Sequence, residues 1–354
     1  MKIAILISSL KFGGAEKQAV IDAALLSGDH EVFFLAFQDG ELAHQLPETV
    51  RYIRLHKSGY FPSALRMARL FKSAKVDVVH AHLFAPMLIS GLATLFCKTR
   101  SIWNFHSHAY GEGGGVRWAH SLIAWLPGVK RILFPATELK QYYHSEHYAF
   151  PQEKELVFFN SGQFLERQPF REGTRGPVIL GYVGRVIPLK RLHLLLEAGA
   201  ALLSEGFSDF RISLVGDGES LPGLKALARE LKLEAFVDFH GFQTDTRSYY
   251  DSFSLFVLPS EEEVLSLSLI DAQLAGLPCV AFDVGGNADV VSTGKSGYIV
   301  KDSEAFISRI SQLCRDPRLR LQMGQQAIEH SSDKFSQKAR KESLEALYQE
   351  AVVS

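Results

Sequence analysis

Carboxylates stand on both sides of one apolar segment in the second half of the sequence. The stretch SEEEVLSLSLIDAQLAGLPCVAFDVGG runs from Ser260 to Gly286, with Glu263 ahead of the apolar run and Asp271 behind it. Gly276 and Pro278 supply a helix stop, so we expect the run to enter a helix that joins two parallel strands. Glu263 then lies in the loop at a strand end, and Asp271 lies about one turn inside the helix. Together they offer acceptors for hydroxyl groups.

A purely structural interpretation of Asp271 stays open. Ser268 followed three residues later by Asp271 matches a capping box, in which the acid only stabilises the start of the helix. Capping does not account for Glu263. The backbone N–H groups of Ser266, Leu267 and Ser268 lie between the two carboxylates, where a helix N-terminus favours a phosphate.

Two cations follow another predicted strand. The run Val178–Val183 is followed by GRVIPLKRL, which places Arg185 and Lys190 on either side of a short loop. Two fixed cations at a strand end can hold a diphosphate and neutralise a phosphate leaving group. The alternative is a solvated basic turn.

A glycine pair follows the first predicted strand. Gly13 and Gly14 come after Lys2–Ile7 in SSLKFGGAEKQAV and open a helix, so their N–H groups could face an anion. An ordinary turn between strand and helix explains the same pattern. Neither GKS at Gly294 nor VGDG at Val215 completes a P-loop or a dinucleotide fingerprint.

Histidines allow a competing function. His80 with His82, and His106 with His108, each follow or end a strand and could ligate a metal, as in some hydrolases. Packing and hydrogen bonding near a crevice is the alternative for the same side chains.

Composition restricts the class of protein. The chain has 354 residues, 47% of them hydrophobic and 22% charged, which favours about two folded domains over disorder. A net charge of −1 argues against nucleic-acid binding. Three scattered cysteines and the absence of an 18-residue apolar run predict a cytoplasmic protein with no membrane span.

Short apolar strands alternate with helix-length segments, which predicts an α/β fold of doubly wound parallel sheets. Glu166–Gly176 reads as an interdomain linker. We therefore expect an N-terminal Rossmann-like domain over 1–168, a C-terminal one over 169–335, and a helix over 336–354 that packs back on the first domain. The predicted strands are Lys2–Ile7, Glu31–Ala36, Asp77–His80, Ser101–Phe105, Arg131–Phe134, Glu155–Phe159, Val178–Val183, Arg211–Val215, Phe236–Phe239, Ser254–Leu258 and Cys279–Phe282.

These motifs, in this order, resemble the retaining glycosyltransferases of family 4, whose GT-B fold has two Rossmann-like domains facing across a cleft. Glu263 and Asp271 match the family's E-x7-E signature, with Asp replacing the second Glu. Arg185 and Lys190 match its phosphate clamp, and GGAE at Gly13 matches its N-terminal glycine loop. The segment NSGQ, 160–163, departs from the common Asn-Gly-Val-Asp.

The resemblance implies a role for each residue of the donor site. Arg185 and Lys190 would bind the diphosphate in place of a metal, and Glu263 would orient the sugar. Asp271 would accept from the ribose hydroxyls. The other implied contacts are the nucleobase for His240 and Gly241, the transferred sugar for His106, and phosphate and acceptor for Gly13 and Gly14.

The expected reaction is retaining transfer of a sugar from a nucleotide-diphosphate donor, with UDP preferred, to a hydroxyl of a lipid-linked or surface-polysaccharide glycan. No cofactor and no nucleic-acid partner are expected. The alternatives are the metal-dependent hydrolase and a non-catalytic partner subunit.

A membrane surface is a further expected partner. The segment GEGGGVRWAHSLIAWLPGVK, 111–130, places Trp118, Leu122 and Trp125 on one helix face beside basic residues. Indoles and cations suit a helix lying on the inner leaflet, whereas a buried core helix explains the same spacing.

Overall fold

The computed structural model describes residues 1–11, 13–56, 58–109, 113–163 and 176–353. Most of the predicted linker Glu166–Gly176, and the predicted domain boundary at 168/169, lie outside the described residues. So do Gly111 and Glu112 of the segment that precedes the tryptophan helix.

Strands and helices alternate along most of the described chain, which ends in three consecutive helices. The strands are β1 (Lys2–Ser9), β2 (Glu31–Gln38), β3 (Arg51–Arg54), β4 (Val78–His82), β5 (Arg100–Asn104), β6 (Val129–Phe134), β7 (Glu155–Val157), β8 (Val178–Val183), β9 (Phe210–Val215), β10 (Val237–Gly241), β11 (Leu255–Leu258), β12 (Cys279–Phe282) and β13 (Gly297–Val300). The helices are α1 (Gly14–Leu26), α2 (Tyr60–Ala74), α3 (Phe84–Ala93), α4 (Gly114–Ala124), α5 (Thr137–Ser145), α6 (His193–Ser204), α7 (Leu221–Glu230), α8 (Arg247–Ser252), α9 (Leu267–Leu274), α10 (Asn287–Val290), α11 (Ser303–Arg315), α12 (Pro317–Phe335) and α13 (Gln337–Val353). Each predicted strand has its counterpart, whereas β3 and β13 have no predicted equivalent.

The chain forms two compact units. The first contains Met1–Asn160 and Lys338–Ser354, and the second contains Ser161–Gln337. The sheet of the first unit has the order β3-β2-β1-β4-β5-β6-β7, and that of the second has the order β10-β9-β8-β11-β12-β13. All strand pairs are parallel. The predicted α/β class with two doubly wound parallel sheets is confirmed.

The strand order reverses at one point in each sheet. In the first unit this point lies between β1 and β4, and in the second it lies between β8 and β11. Open parallel sheets bind ligands outside the carboxyl ends of the strands at this reversal. The loops after β1, β4, β8 and β11 are therefore where functional side chains are expected.

The last helix completes the core of the first unit. Leu344, Leu347 and Tyr348 of α13 are buried in the same apolar cluster as Ile3 and Ile5 of β1. The first unit is thus assembled from the beginning of the chain and from α13.

Candidate active site

The cation and the carboxylate predicted at the strand ends of the second unit are paired. Lys190, in a short 3-10 turn after β8, places its Nζ 2.5 Å from Oε1 of Glu263 in the loop after β11. The hydroxyl of Ser260 donates to the same oxygen at 2.7 Å. Lys190 and Glu263 keep 14% and 12% of their side-chain surface exposed. The pair therefore lies at the sheet reversal, is largely desolvated, and can still be reached by a ligand.

Arg185 lies in the same loop after β8 and is exposed to solvent. Its carbonyl accepts a 2.8 Å hydrogen bond from the hydroxyl of Tyr182. Burial raises the pKa of that hydroxyl, so Tyr182 stays protonated and keeps donating. This hydrogen bond holds the backbone of Arg185 in place, while the side chain of Arg185 is exposed to solvent.

Glycines let two neighbouring loops approach these side chains. A Cβ at Gly216, in the loop after β9, would lie 1.8 Å from the carbonyl oxygen of Gly184. A Cβ at Gly285, whose φ is +54°, would lie 2.0 Å from the carbonyl oxygen of Glu263. Gly216 thus lets its loop pack directly against the backbone that precedes Arg185, and Gly285 lets its loop pack directly against the backbone of Glu263.

The start of α9 differs from the capping-box interpretation. Ser266 is the N-cap, and its Oγ accepts from the N–H of Leu269 at 3.3 Å and lies 3.0 Å from Oγ of Ser268. The N–H groups of Leu267 and Ser268 lie in the first helical turn, where no intrahelical carbonyl is in position to accept them. The proposed Ser268–Asp271 capping box is therefore wrong, because the helix begins two residues earlier.

Asp271 is buried and bonded to a residue that the sequence analysis did not single out. Its Oδ1 accepts from the backbone N–H of Gln163 at 2.7 Å, and its Oδ2 accepts from Nε2 of Gln163 at 3.3 Å. Gln163 belongs to the NSGQ departure from the family pattern, and that departure was the available signal. The carboxylate is only 1% exposed.

The predicted nucleobase residues end β10. His240 places Nε2 3.0 Å from Oγ of Ser213, and its ring packs 4.8 Å from that of Tyr249. Gly241 has φ +67°, a conformation that favours glycine. The carbonyls of His240 and Gly241 already accept from Gln243 and Gly216.

The histidines predicted in the first unit lie at the carboxyl ends of β4 and β5, next to the point where the strand order reverses. His106 follows β5, and its Nε2 lies 2.8 Å from Nδ1 of His82 at the end of β4. His80 stacks on His82 with ring centroids 4.3 Å apart and bonds the hydroxyl of Tyr348 at 2.7 Å. These three imidazoles form a row that leads from α13, through the buried His80 and His82, to the partly exposed His106.

The glycine loop after β1 is occupied by a carboxylate. Gly13 caps α1, and a Cβ there would lie 2.2 Å from Oε2 of Glu16. Burial raises the pKa of Glu16, whose Oε1 lies 3.4 Å from the hydroxyl of Ser9. Because Glu16 covers the N-terminus of α1, the expected approach of phosphate to Gly13 and Gly14 is not favoured by the geometry.

The metal-hydrolase alternative is not supported. Ligand atoms of Asp22, His80 and His82 lie within 4.8 Å of one another. Both oxygens of Asp22, however, accept from the buried guanidinium of Arg340, at 2.9 and 2.7 Å. An arginine therefore already supplies the positive charge at this cluster. His108 pairs instead with Glu138, 3.3 Å away.

We expect the histidine row to make stability depend on pH. Burial, followed by neighbouring positive charge, holds the pKa values of His80, His82 and His106 well below the ordinary value of 6.5. Below about pH 6.5 the unfolded chain therefore binds more protons than the folded chain. Stability should fall with acidification by up to about 1.4 kcal/mol per pH unit for each histidine.

Thermal melts between pH 7.5 and 5.5 test this dependence. The melting temperature should fall, and it should fall less steeply in His82→Gln. A wild-type melting temperature that stays constant over this range would contradict the assignment.

Comparisons with known proteins identify the family of the chain. The family model described as Glycosyltransferase Family 4 matches residues 12–158, and the model described as Glycosyl transferases group 1 matches residues 165–330. The first range lies in the first unit and the second lies in the second unit, and together they match most of the chain. The chain belongs to the family 4 glycosyltransferases.

Individual relatives of this glycosyltransferase include an uncharacterized glycosyltransferase of Haemophilus influenzae, 26% identical over 91% of this chain and 92% of its own. The capsular polysaccharide biosynthesis glycosyltransferase CapM of Staphylococcus aureus is 28% identical over 48% of this chain and 45% of its own length. Among solved structures, Anabaena Alr3699/HepE in complex with UDP superposes with a TM-score of 0.84 at 19% identity, covering 99% of this chain and 100% of that one. The predicted GT-B fold is confirmed.

Proposed function

We propose that this glycosyltransferase transfers a sugar from a UDP-sugar to a hydroxyl of a lipid-linked or surface-polysaccharide glycan, with retention of anomeric configuration. The observation that carries the donor assignment is the pair of Lys190 and Glu263 at the sheet reversal of the second unit. The UDP complex of the structural neighbour and the polysaccharide role of CapM support the choice of donor and acceptor class.

The donor would be held by charge and by backbone dipoles. Lys190 and Arg185 would neutralise the diphosphate, and the first turn of α9 would add the N–H groups of Leu267 and Ser268. Glu263, fixed by Ser260, would keep Lys190 in place and accept from a sugar hydroxyl. When the bond to the sugar breaks, negative charge grows on the departing diphosphate, and these groups stabilise it without a metal.

The first unit would serve the sugar and the acceptor. His106 is held by His82 and stays neutral at physiological pH, so it can hydrogen-bond a sugar hydroxyl without adding charge. Glu16, rather than a phosphate, would lie at Gly13 and Gly14 and accept from a hydroxyl of the acceptor.

The test is a panel of nucleotide sugars with the full chain, in buffer containing EDTA. Mass spectrometry should detect transfer from a UDP-sugar to a polyprenyl-linked acceptor, and NMR should show that donor and product share an anomeric configuration. An inverted product would refute retention, and loss of activity in EDTA would refute metal independence. Absence of transfer from every donor would refute the proposed reaction.

An exposed aromatic surface supports attachment to a membrane. Trp118, Leu122 and Trp125, which we call the α4 patch, are 67%, 54% and 59% exposed. The buried core helix considered for this segment is therefore wrong for these three residues, since α4 buries His120 and Ile123 on its opposite face. None of the helices within the described ranges combines the length and apolar character needed to cross a bilayer.

We expect the wild-type protein to float with vesicles containing anionic lipid, more weakly at high salt, because exposed indoles enter the interface and nearby cations attract the headgroups. Trp118→Ala/Trp125→Ala should sink while melting normally. Leu156→Ala is the matched control, since Leu156 is a 39% exposed apolar residue of the same unit outside the α4 patch. A wild-type protein that never floats would contradict membrane attachment.

A further inference from the structure

The carboxylate of Asp271 is enclosed, whereas the side chain bonded to it is not. Asp271 is 1% exposed, while Gln163 is partly exposed and donates its amide N–H to Oδ2 of Asp271. Within the described ranges no group donates to the amide oxygen of Gln163, and this oxygen is not a buried polar atom without a partner. The polar atom that this pair presents to an incoming ligand is therefore the Gln163 amide oxygen.

The backbone around Gln163 is held from several sides. The N–H of Gly162 donates to the carbonyl of Phe335 at 2.9 Å, and Nε2 of Gln337 donates to the carbonyl of Gln163 at 2.9 Å. A Cβ at Gly162 would lie 2.4 Å from Leu274 and 2.9 Å from Oδ1 of Asp271. The segment thus lies directly against α9, and Gln163 has little freedom to move away from Asp271.

The two departures from the family pattern explain one another. An aspartate is one methylene shorter than the glutamate of the family signature, so its carboxylate stays beneath the backbone of Gly162 and Gln163. Gln163, in the departing NSGQ segment, extends outward from that carboxylate. At this position the outward polar group is therefore the amide of Gln163, and the carboxylate of Asp271 lies behind it.

We propose that Gln163, oriented by Asp271, accepts a hydrogen bond from a ribose hydroxyl of the nucleotide donor. The inference rests on the proposed nucleotide-sugar function and reassigns the ribose contact expected of Asp271. Asp271 acts as the positioning residue, because its carboxylate takes the amide N–H of Gln163 and turns the amide oxygen outward. The bond to a carboxylate also polarises the amide, which strengthens the oxygen as an acceptor.

The experiment removes the Gln163 side chain and one ribose hydroxyl, first separately and then together, and compares the binding affinities. Isothermal titration measures the affinity for UDP, 2′-deoxy-UDP and 3′-deoxy-UDP. Gln163→Ala should weaken UDP binding about fivefold, typical for one hydrogen bond between neutral groups. The deoxynucleotide that lacks the bonded hydroxyl should bind wild type and Gln163→Ala equally. Gln163→Met, which keeps the length of the side chain, should behave like Gln163→Ala and exclude a packing effect.

Two further variants are measured in the same way: Asp271→Asn tests the positioning role, and Gln326→Ala is the control. Asp271→Asn should also weaken UDP and lose discrimination between UDP and the same deoxynucleotide, while Gln326→Ala on α12 should change nothing. If Asp271→Asn weakens UDP but Gln163→Ala and Gln163→Met do not, Asp271 meets the ribose itself and the proposal is overturned. If wild type binds no UDP, the proposed donor fails instead, which is a separate outcome.

Discussion

Replacing Lys190 with alanine is expected to lower kcat by about two to three orders of magnitude, the typical loss when one charge-stabilising group is removed from an active site. Lys190 is largely desolvated, lies 2.5 Å from Glu263 and follows β8 at the sheet reversal. Its ammonium would counter the charge that develops on the leaving diphosphate. Removal also leaves Glu263 without its cation, so a carboxylate would then repel the donor.

Steady-state kinetics with the donor identified by the panel would measure this effect. Arg229→Ala, an exposed cation on α7, is the control and should keep wild-type kcat. Lys190→Arg keeps the charge but changes its shape, so partial activity is expected. A Lys190→Ala protein that folds, as judged by circular dichroism, and retains near-normal kcat would remove Lys190 from the mechanism.

Replacing Arg340 with methionine is expected to destabilise the protein by about 3–5 kcal/mol, the usual cost of leaving one buried charge unpaired. Arg340 is 2% exposed and donates twice to Asp22, which is fully buried, and once to the carbonyl of Phe159 at 2.7 Å. Gln18 donates to the same carboxylate at 2.8 Å. The network joins α13 to α1.

Chemical denaturation would measure the loss. Lys341→Ala is the matched control, because the neighbouring pair of Lys341 and Asp29 is exposed to solvent and exposed ion pairs contribute little to stability. Arg340→Met combined with Asp22→Leu should recover part of the loss, since no buried charge is left unpaired. Equal stability of Arg340→Met and Lys341→Ala would contradict the burial argument.

The sequence predicted that Lys190 and Glu263 each follow a strand, but not that they pair; they lie close because the ends of parallel strands meet at one edge of the sheet. Lys190 and Glu263 are far apart along the chain, but each follows an apolar strand, and β8 and β11 are neighbours in the sheet. The same reasoning located His106 and His82 after β5 and β4. Local pattern was sufficient here, since each side chain sits at the end of a regular element.

Residues whose partners come from elsewhere in the fold were not predictable. Gln163 lies in the NSGQ departure from the family pattern, but that departure does not name a partner, and the contact with Asp271 depends on how this segment packs against α9. The choice of Ser266 over Ser268 as N-cap was equally hidden, because either serine can cap a helix. β3 was missed because it is short, begins and ends with an arginine, and lies at a sheet edge.

The position of α13, after the second unit in the chain, affects the order in which the two units fold. The ribosome synthesises the strands of the first unit early. The residues of α13 that complete this unit are synthesised only after the entire second unit; they are Arg340, which pairs with Asp22, and the apolar-cluster residues Leu344, Leu347 and Tyr348. During translation the first sheet therefore lacks part of the packing on one apolar face until α13 emerges, while the second unit can already fold. Chains truncated after Gln337 and released from the ribosome should consequently contain a protease-resistant second unit and a first unit that is still cleaved.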